Sequence, residues 1–369
     1  MNGLILCTKE CNLRCSYCFE ESMRRDKMCP VEQLRKQFDR FIDLHLRKFV
    51  EELIAVNHEM RIPKSNICFH GGEPMLVGKE LLEKAFRIVH EYPDTEISTQ
   101  TNATLIDDDI IELYKKYNVH IGISLDGPKS LHDKYRLTIG QTGTFDTIYR
   151  NVLKMQKARL MVGALATITA DTVRCPEEFY RFFAGLNLNF SFNPLFLAPG
   201  QVTDCTGLSQ KDFIDFYKKM FDLWINDTTS NISISCFDRI LSAIAIKDKP
   251  YMEVCTYIPD CSMTTLAITP TGDFYRCLHY CMNEKNRIGN IQTDSLFKAL
   301  GDENFAKRVE ILRNGVCKDC DIFEFCNGGC PYVAEANHGT IMNKDNTCAS
   351  QRAIVHYIYD YLKGLKSDA

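Results

Sequence analysis

The sequence lacks the features that would place the protein in a membrane, in a secretory route or on nucleic acid. Its longest nearly uncharged apolar stretch, 160–170, is shorter than the roughly 20 residues that a membrane-spanning helix needs. Residues 1–10 have no basic segment before an apolar one, so no signal peptide is predicted. The 44 basic and 48 acidic residues leave a net charge of −4, which excludes a strongly basic nucleic-acid binder. We therefore expect a cytoplasmic protein without membrane or nucleic-acid partners.

Cysteine is the residue type present in unusual number, at 18 of 369 residues. This share is below that of secreted disulfide scaffolds but high for a cytoplasmic enzyme. Because disulfides are rare in the cytoplasm, regularly spaced thiols indicate metal or iron–sulfur ligation. A single buried cysteine, in contrast, is an ordinary packing residue.

The first 200 residues alternate short apolar runs with longer amphipathic segments and predict six β/α units. The predicted strands are 4–7, 66–69, 96–99, 120–124, 161–167 and 189–192. The helical segments between them include 31–60, 79–91, 107–117 and 145–156. Such units build a parallel sheet that either closes into a barrel or stays open, and the periodicity leaves both possibilities.

The pattern changes after residue 200. Helices are predicted at 210–225 and 237–247, followed by a hairpin of strands 264–268 and 274–277 and a closing helix at 350–362. We divide the chain into a β/α domain, 1–208, a helical bridging region, 209–250, and a cysteine-dense domain, 251–369.

Three cysteines, Cys11, Cys15 and Cys18, follow the first predicted strand with the spacing C-x₃-C-x₂-C. Structural zinc and closed iron–sulfur cubes take four protein ligands, so three thiolates leave one metal corner open to a small molecule. A zinc knuckle remains an alternative, with a fourth ligand from one of three nearby residues: Cys7, Cys29 or His70.

This spacing, with Tyr17 before the third cysteine and Phe19 after it, resembles the radical S-adenosylmethionine (SAM) superfamily. The resemblance implies a partial (β/α)₆ TIM-like barrel with its site at the carboxyl ends of the strands. It also implies a [4Fe–4S] cluster whose open iron chelates SAM. One electron from this cluster cleaves SAM to methionine and a 5′-deoxyadenosyl radical, while the protein supplies position and excludes solvent.

Polar or glycine-rich segments follow the next strands, as that site requires: His-Gly-Gly-Glu-Pro at 70–74, Gln-Thr-Asn at 100–102 and Ser-Leu-Asp-Gly-Pro at 124–128. Each alone is an ordinary turn, but their order favours a ligand site. The family resemblance implies that Gly-Gly-Glu-Pro receives the amino group of SAM. Arg136 is expected to pair with its carboxylate, although a surface cation is the alternative. His70 stands where some relatives have Gln. The predicted SAM-binding residues are Tyr17, His70, Gly71, Gly72, Glu73, Gln100, Asn102, Ser124, Arg136 and Leu195.

The C-terminal cysteines include a run at 317–330 that ends in Cys-Pro, as bacterial ferredoxin runs do. With a glycine four residues before Cys277, the pattern resembles the SPASM extension of radical SAM enzymes that modify peptides. This resemblance implies two auxiliary [4Fe–4S] clusters, and therefore three clusters in all. Auxiliary cluster one would use Cys255, Cys261, Cys277 and Cys330, and auxiliary cluster two Cys317, Cys320, Cys326 and Cys348. A pair of zinc ribbons is the alternative.

Seven cysteines remain outside these sets, and most are expected to be packing residues: Cys7, Cys29, Cys68, Cys175, Cys205, Cys236 and Cys281. Cys281 is singled out because it lies four residues after the predicted ligand Cys277. It is a candidate to compete for the cluster or to contact substrate.

The resemblance leaves two enzymatic functions open. In anaerobic sulfatase-maturating enzymes, the cysteine of this hairpin is followed by an aspartate that acts as a base when Cys or Ser becomes formylglycine. Here Leu278 follows Cys277, and His279 is the nearest candidate base, with a structural histidine as the alternative. We therefore favour oxidative crosslinking of a ribosomally made peptide, by a thioether or cyclophane bond, over sulfatase maturation. A non-catalytic iron–sulfur or zinc protein is a third reading.

The expected partners follow from this chemistry. They are a peptide or protein substrate and an electron donor such as flavodoxin or ferredoxin. The chain begins at the first predicted strand, so no N-terminal leader-binding domain is expected. Substrate capture would then use the helix 31–60, the bridging region or a separate leader-binding protein.

Overall fold

The computed structural model describes residues 1–18, 29–195, 207–246, 256–301 and 303–367. Two cysteines, the predicted ligand Cys255 and the spare Cys205, lie outside the described residues. The chain divides into two compact units, each built from several segments. The first unit comprises Met1–Leu125, His132–Ala164 and Ser262–Gly301, and the second comprises Asp126–Leu131, Leu165–Cys261 and Asp302–Ala369.

All six predicted strands of the β/α region are confirmed, with bounds within two residues of those expected. They are β1 (Asn2–Thr8), β2 (Ser65–Gly71), β3 (Thr95–Thr101), β4 (His120–Ser124), β5 (Val162–Ile168) and β6 (Phe190–Pro194). Strands β1 to β4 pair side by side in parallel, in chain order. Parallel pairing places their carboxyl ends along one edge of the sheet, which is where the predicted site residues follow each strand.

Alternation along the strands explains which side chains face the helices. In β2 every second residue is buried, including Ile67 and Phe69, whereas His70 is only partly buried on the other face. The Phe69 ring packs against Phe86 with centroids 4.8 Å apart. Burial of one such ring stabilises the fold by about 1.5–3 kcal/mol. One face of the sheet is therefore covered by helices, and the other face carries polar side chains.

All seven predicted helical segments are helical in the structure, and further helices that the sequence analysis did not specify are also present in the described ranges. They are α1 (Val31–Phe41), α2 (Arg47–Glu59), α3 (Lys79–His90), α4 (Asp108–Lys116), α5 (Lys129–Tyr135), α6 (Phe145–Lys157), α7 (Pro176–Gly185), α8 (Gln210–Ile225), α9 (Ser235–Ala245), α10 (Leu296–Ala299), α11 (Glu303–Asn314), α12 (Phe323–Cys326), α13 (Pro331–His338) and α14 (Cys348–Ser367). Several of these helices begin at a residue whose side chain caps the first turn. Before α4, for example, the Asp107 carboxylate accepts a hydrogen bond from Ile110 N at 2.8 Å.

The predicted helix 31–60 is α1 and α2 joined by one π-helical turn, Ile42–Leu46. Its polar side chains bind another segment of the same unit. Lys48 Nζ donates to Ile291 O at 2.6 Å, and Glu52 Oε2 accepts from Leu296 N at 2.6 Å. This part of the helix therefore packs within the fold of the first unit.

The predicted hairpin is present as β7 (Thr265–Ile268) and β8 (Asp273–Tyr275), which pair in antiparallel fashion. A short strand, β9 (Gly289–Asn290), extends it. The sequence did not indicate that β7 also pairs in parallel with β1, next to the β/α strands. The segment Ser262–Gly301 consequently belongs to the first compact unit, while the three-part domain division stays a prediction.

The second unit has an aromatic core. Phe183 and Phe190 stack with ring centroids 4.2 Å apart, and Phe221 packs edge-on against Phe237 at 5.4 Å. The closing helix α14 joins this core where Tyr357 Oη donates to Asp222. Within the described ranges, no helix has both the length and the apolar character needed to cross a membrane.

The ends of β1 and β2 are held together by direct backbone contact. Gly72 N donates to Thr8 O at 2.8 Å, and Glu73 N donates to Glu10 O at 2.9 Å. A Cβ placed on Gly72 would lie 2.2 Å from Glu10 O. A glycine is therefore required at position 72 by its contact with the backbone of Glu10. Glu10 lies directly before the first cysteine of the loop.

We expect the substitution Gly72→Ala to destabilise the protein by about 1–3 kcal/mol, because backbone must move to admit the methyl group. Chemical denaturation measures this loss. Gly185→Ala, in α7, is the matched control, since a Cβ there meets nothing within 4 Å, and it should be neutral or slightly stabilising. Equal stability of Gly72→Ala and the unsubstituted protein would contradict the close contact.

Candidate active site

The loop 11–18, which carries the first three cysteines, is fixed by the protein itself. The backbone amides of Arg14 and Ser16 donate to carbonyl groups in the segment 135–138, at 2.7 and 3.0 Å. The Arg14 guanidinium also donates to Cys11 O at 2.9 Å, across the base of the loop. Cys11 and Cys15 are buried, and Cys18 is partly buried. The three cysteines therefore lie in one short loop after β1, and hydrogen bonds hold this loop in place.

Asn102, a predicted SAM-binding residue, contacts the cysteine loop directly. Its Nδ2 lies 3.6 Å from Cys11 Sγ and donates to Asn12 Oδ1 at 2.9 Å. Its Oδ1 accepts from Thr104 N at 3.0 Å. The side chain thus joins the end of β3 to the first cysteine, and it orients the thiol in the way that residues around a metal ligand do.

The carboxylate of Glu73 is fully buried and accepts three hydrogen bonds. The donors are Thr101 Oγ1 at 2.8 Å, Asn102 N at 2.8 Å and Met75 N at 3.1 Å. Burial raises the pKa of Glu73 to about 7, and these donors oppose the rise. Both carboxylate oxygens are thus engaged within the protein, and the role of Glu73 as a SAM contact stays a prediction.

Three predicted binding residues lie on the partly buried face of β2, β3 and β4: His70, Gln100 and Ser124. Gln100 Nε2 donates to Ser124 Oγ at 3.3 Å, and the absence of a side chain at Gly122 makes room for Gln100. Gly71 N donates to His70 Nδ1 at 2.7 Å. Burial lowers the pKa of His70 to about 4, so its imidazole is neutral at physiological pH.

Tyr17 and Arg136 form a pair beside the cysteine loop. The Arg136 guanidinium carbon lies 5.4 Å from the centre of the Tyr17 ring, and both side chains are buried. Arg136 is thus a buried cation near the loop, which overturns the alternative that it is a surface residue. Leu195, by contrast, lies in the second unit, where its N donates to Ile168 O at 2.9 Å.

The segment after the hairpin lies beside the same strand ends. His279 is close enough to His70 to lower the pKa of His70 further, and Lys9 Nζ donates to Cys281 O at 3.2 Å. Cys281 itself is fully buried, with its Sγ 3.4 Å from Cys277 O. This contact indicates that Cys281 shapes the turn that presents Cys277. His279, in the same turn, has an exposed edge, although desolvation by its surroundings lowers the pKa of its ring.

The four thiols predicted for auxiliary cluster two lie in one place in the second unit: Cys317, Cys320, Cys326 and Cys348. Their mutual electrostatic interactions raise the pKa values of Cys317 and Cys326, in addition to the larger effect of burial. The predicted ligands of auxiliary cluster one are distributed differently. Cys277 belongs to the first unit, Cys261 and Cys330 belong to the second, and Cys255 lies outside the described residues.

The three-cysteine loop and the four-cysteine set of the second unit fit iron–sulfur clusters, because both consist of thiols on short loops that the protein holds in place. Within the described ranges, no three His, Cys, Asp or Glu side chains converge on the position of a single metal ion. A four-iron cluster binds each thiolate through a different iron atom, so its ligands surround a volume instead of a point.

Sequence reasoning missed several residues that brace these loops. Arg14 and Lys9 were not singled out, because a lone cation carries no motif. In the second unit Asp345 is buried and accepts from Cys330 N at 2.9 Å. Only its position, three residues before the predicted ligand Cys348, hinted at this role.

We expect Asn102→Ala to weaken iron retention at the three-cysteine loop by about 10–100-fold, the usual cost of losing a partner of a metal ligand. Iron release to a chelator, followed in a variant lacking the C-terminal ligand cysteines, measures this. Asn66→Ala is the matched control, because Asn66 bonds to Ser98 in the sheet and not to the loop. Equal iron release from the two variants would contradict the role of Asn102.

Comparison with known proteins agrees with this geometry. A model of the radical SAM superfamily matches residues 5–183, and one of the SPASM iron–sulfur cluster-binding domain matches residues 255–327. The chain is 30% identical over 355 residues to a cysteine-type anaerobic sulfatase-maturating enzyme of Clostridium novyi, which covers 93% of this chain and 91% of that relative. A serine-type enzyme of Bacteroides thetaiotaomicron is 26% identical over 346 residues, 87% of this chain and 80% of the relative.

Solved structures show the same fold. The structure of anSMEcpe with bound AdoMet has a TM-score of 0.79 at 23% identity and covers 100% of this chain and 99% of that one. Streptococcus suis SuiB bound to the precursor peptide SuiA has a TM-score of 0.64 at 15% identity, covering 94% and 75%. The chain belongs to the radical SAM superfamily, in the branch whose members carry a SPASM iron–sulfur cluster-binding domain.

Proposed function

We propose that this protein oxidises a cysteine side chain of a sulfatase polypeptide to formylglycine. The observation that carries the proposal is the 30% identity to the cysteine-type enzyme of Clostridium novyi along nearly the whole length of both chains. This similarity outweighs the presence of Leu278 where the sulfatase-maturating enzymes are expected to have an aspartate. That difference favoured peptide crosslinking in the sequence analysis. Cysteine is chosen over serine as the substrate residue because the serine-type relative is less similar, at 26% identity.

The residues around the first loop are suited to holding the required groups. Cys11, Cys15 and Cys18 would bind a [4Fe–4S] cluster and leave one iron for SAM. Together the cluster and SAM supply a radical that removes a hydrogen atom from the substrate. Arg136, buried against Tyr17, offers a fork of donors to the SAM carboxylate. The neutral imidazole of His70 and the Gln100–Ser124 pair line the same strand ends with hydrogen-bonding groups.

Conversion of a cysteine side chain to an aldehyde is a two-electron oxidation. After the hydrogen atom has left the substrate carbon, one more electron and one proton must leave, and water must replace the sulfur. We propose His279 as the proton acceptor, because it interacts electrostatically with His70 at the end of β2 and desolvation lowers the pKa of its ring, which keeps the imidazole neutral. Cys317, Cys320, Cys326 and Cys348 would hold an auxiliary cluster, and such a group would supply an acceptor for the electron.

Crosslinking of a ribosomally made peptide is the second candidate. It is favoured by Leu278, which stands where the sulfatase-maturating enzymes have their aspartate. The likeness to SuiB shows the shared fold alone. For either reaction we propose a peptide substrate and an external electron donor such as flavodoxin or ferredoxin, in the cytoplasm. A separate leader-binding protein is part of the crosslinking proposal only.

We expect the anaerobically reconstituted protein to bind three [4Fe–4S] clusters, to convert SAM to 5′-deoxyadenosine and to form formylglycine in a sulfatase-derived peptide. Iron analysis, chromatography and mass spectrometry of the peptide measure these. Replacement of Cys11, Cys15 and Cys18 together by Ala should abolish both products, because no open iron is then available. Turnover in this triple variant would overturn the assignment. A new crosslink in a cysteine-rich peptide, without formylglycine, would support the second candidate.

We expect His279→Ala to lower formylglycine formation at least tenfold while SAM cleavage continues, because hydrogen-atom removal precedes the proton transfer. The ratio of 5′-deoxyadenosine to formylglycine measures this uncoupling. His58→Ala is the control, since His58 is exposed and pairs with Asp94 away from the strand ends. An unchanged ratio in His279→Ala would exclude His279 as the base.

A further inference from the structure

Arg308 is a buried arginine among the C-terminal cysteines, with 4% of its surface exposed. It projects from α11, and its guanidinium donates four hydrogen bonds to backbone carbonyl groups of two separate loops. The acceptors are Ile341 O at 2.7 Å, Asn343 O at 2.9 Å, Gly328 O at 3.0 Å and Asn327 O at 3.1 Å. The planar fork of arginine is what allows one side chain to bind both loops.

The two loops that Arg308 joins both lead to proposed cluster ligands. Residues 327–328 lie between Cys326 and Cys330, and residues 341–343 lie shortly before Cys348. Close packing leaves little freedom here, since a Cβ on Gly328 would meet Leu312 at 2.3 Å and the Arg308 guanidinium at 3.5 Å. The guanidinium is therefore held at a fixed place relative to these thiols.

The charge of Arg308 is not neutralised by the groups to which it is hydrogen-bonded, because all four are neutral carbonyls. Arginine stays protonated in proteins, so a buried positive charge is present. It interacts electrostatically with Cys261 and Cys330, and also with Cys317. The buried carboxylate of Asp345 also interacts electrostatically with Arg308, and its Oδ2 accepts a hydrogen bond from Cys330 N.

A buried cation is costly to desolvate unless an anion compensates for it. A cluster held by four thiolates carries negative charge, and it gains one more when it accepts an electron. Arg308 interacts with thiols from both proposed auxiliary sets, two from cluster one and one from cluster two. Its charge should consequently stabilise the reduced form of auxiliary cluster two, whose four proposed ligands all lie in the described part of the second unit, more than the oxidised form.

We propose that Arg308 raises the reduction potential of auxiliary cluster two and so makes it a better electron acceptor. The inference rests on the ligand sets given under the proposed function, although it holds for either peptide reaction. Each cluster takes up one electron in this step, which a chemical reductant supplies in the test below.

The test is a redox titration followed by electron paramagnetic resonance, in the full chain with Cys11, Cys15 and Cys18 replaced by Ala so that only auxiliary clusters contribute. Arg308→Gln should lower the potential of auxiliary cluster two by about 59 mV, which corresponds to a tenfold change for a one-electron couple. Arg308→Lys keeps the charge and should stay closer to the unsubstituted protein. Arg313→Gln, on the same helix but exposed and paired with Glu324, should leave the potentials unchanged.

Unchanged potentials in an Arg308→Gln protein with full iron content would overturn the inference and leave the ligand assignment intact. A drop in Arg308→Lys as large as in Arg308→Gln would also overturn it, because loop geometry and not charge would then be responsible. If Arg308→Gln does not retain its clusters, Asp345→Asn replaces it. Loss of that negative charge should raise the potential, and no rise would reject the inference. Absence of auxiliary clusters from the parent protein would reject the ligand assignment itself.

Discussion

The arrangement at the edge of the sheet depends on one buried carboxylate. Glu73 follows β2, and its two oxygens bind the end of β3 through Thr101 and the amide of Asn102. The Asn102 side chain in turn contacts Cys11. Three strand ends that are far apart in sequence are thus connected by side chains whose hydrogen-bonding groups have few alternatives once buried. The position of the first thiol follows from this connection.

A second constraint acts between backbones. Gly71 and Gly72 lie against Thr8 and Glu10 without space for a Cβ, so the chain enters the cysteine loop at a set angle. Burial of the Glu73 carboxylate is unfavourable by itself, as the raised pKa shows, and its three donors offset that cost. The same principle applies in the second unit, where Arg308 and Asp345 bind backbone groups of the thiol-bearing loops. In both places charged side chains fix the loops that carry the thiols.

The residues that carry the chemistry differ in how well the sequence could identify them. Spacing identified the cysteine groups, because a cluster needs several thiolates at short separations. The base could not be identified in the same way. The aspartate missing at Leu278 favours a different reaction, yet a proton acceptor needs only a suitable position in space. His279 interacts electrostatically with His70, which is 209 positions away in the sequence. The proposed reaction therefore rests on similarity along the whole chain.

Sequence alone determined the six β/α units, the hairpin with its turn, the closing helix and the family, since these depend on local periodicity, turn residues and cysteine spacing. Only the tertiary structure decided that β7 pairs with β1 and that both oxygens of the Glu73 carboxylate accept hydrogen bonds from protein groups. It also decided that Arg136 is buried against Tyr17 and that Arg308 lies among the thiols. These features join residues from distant parts of the chain, and their partners are selected by packing and by the need to satisfy buried polar groups. No local pattern in the sequence records that selection.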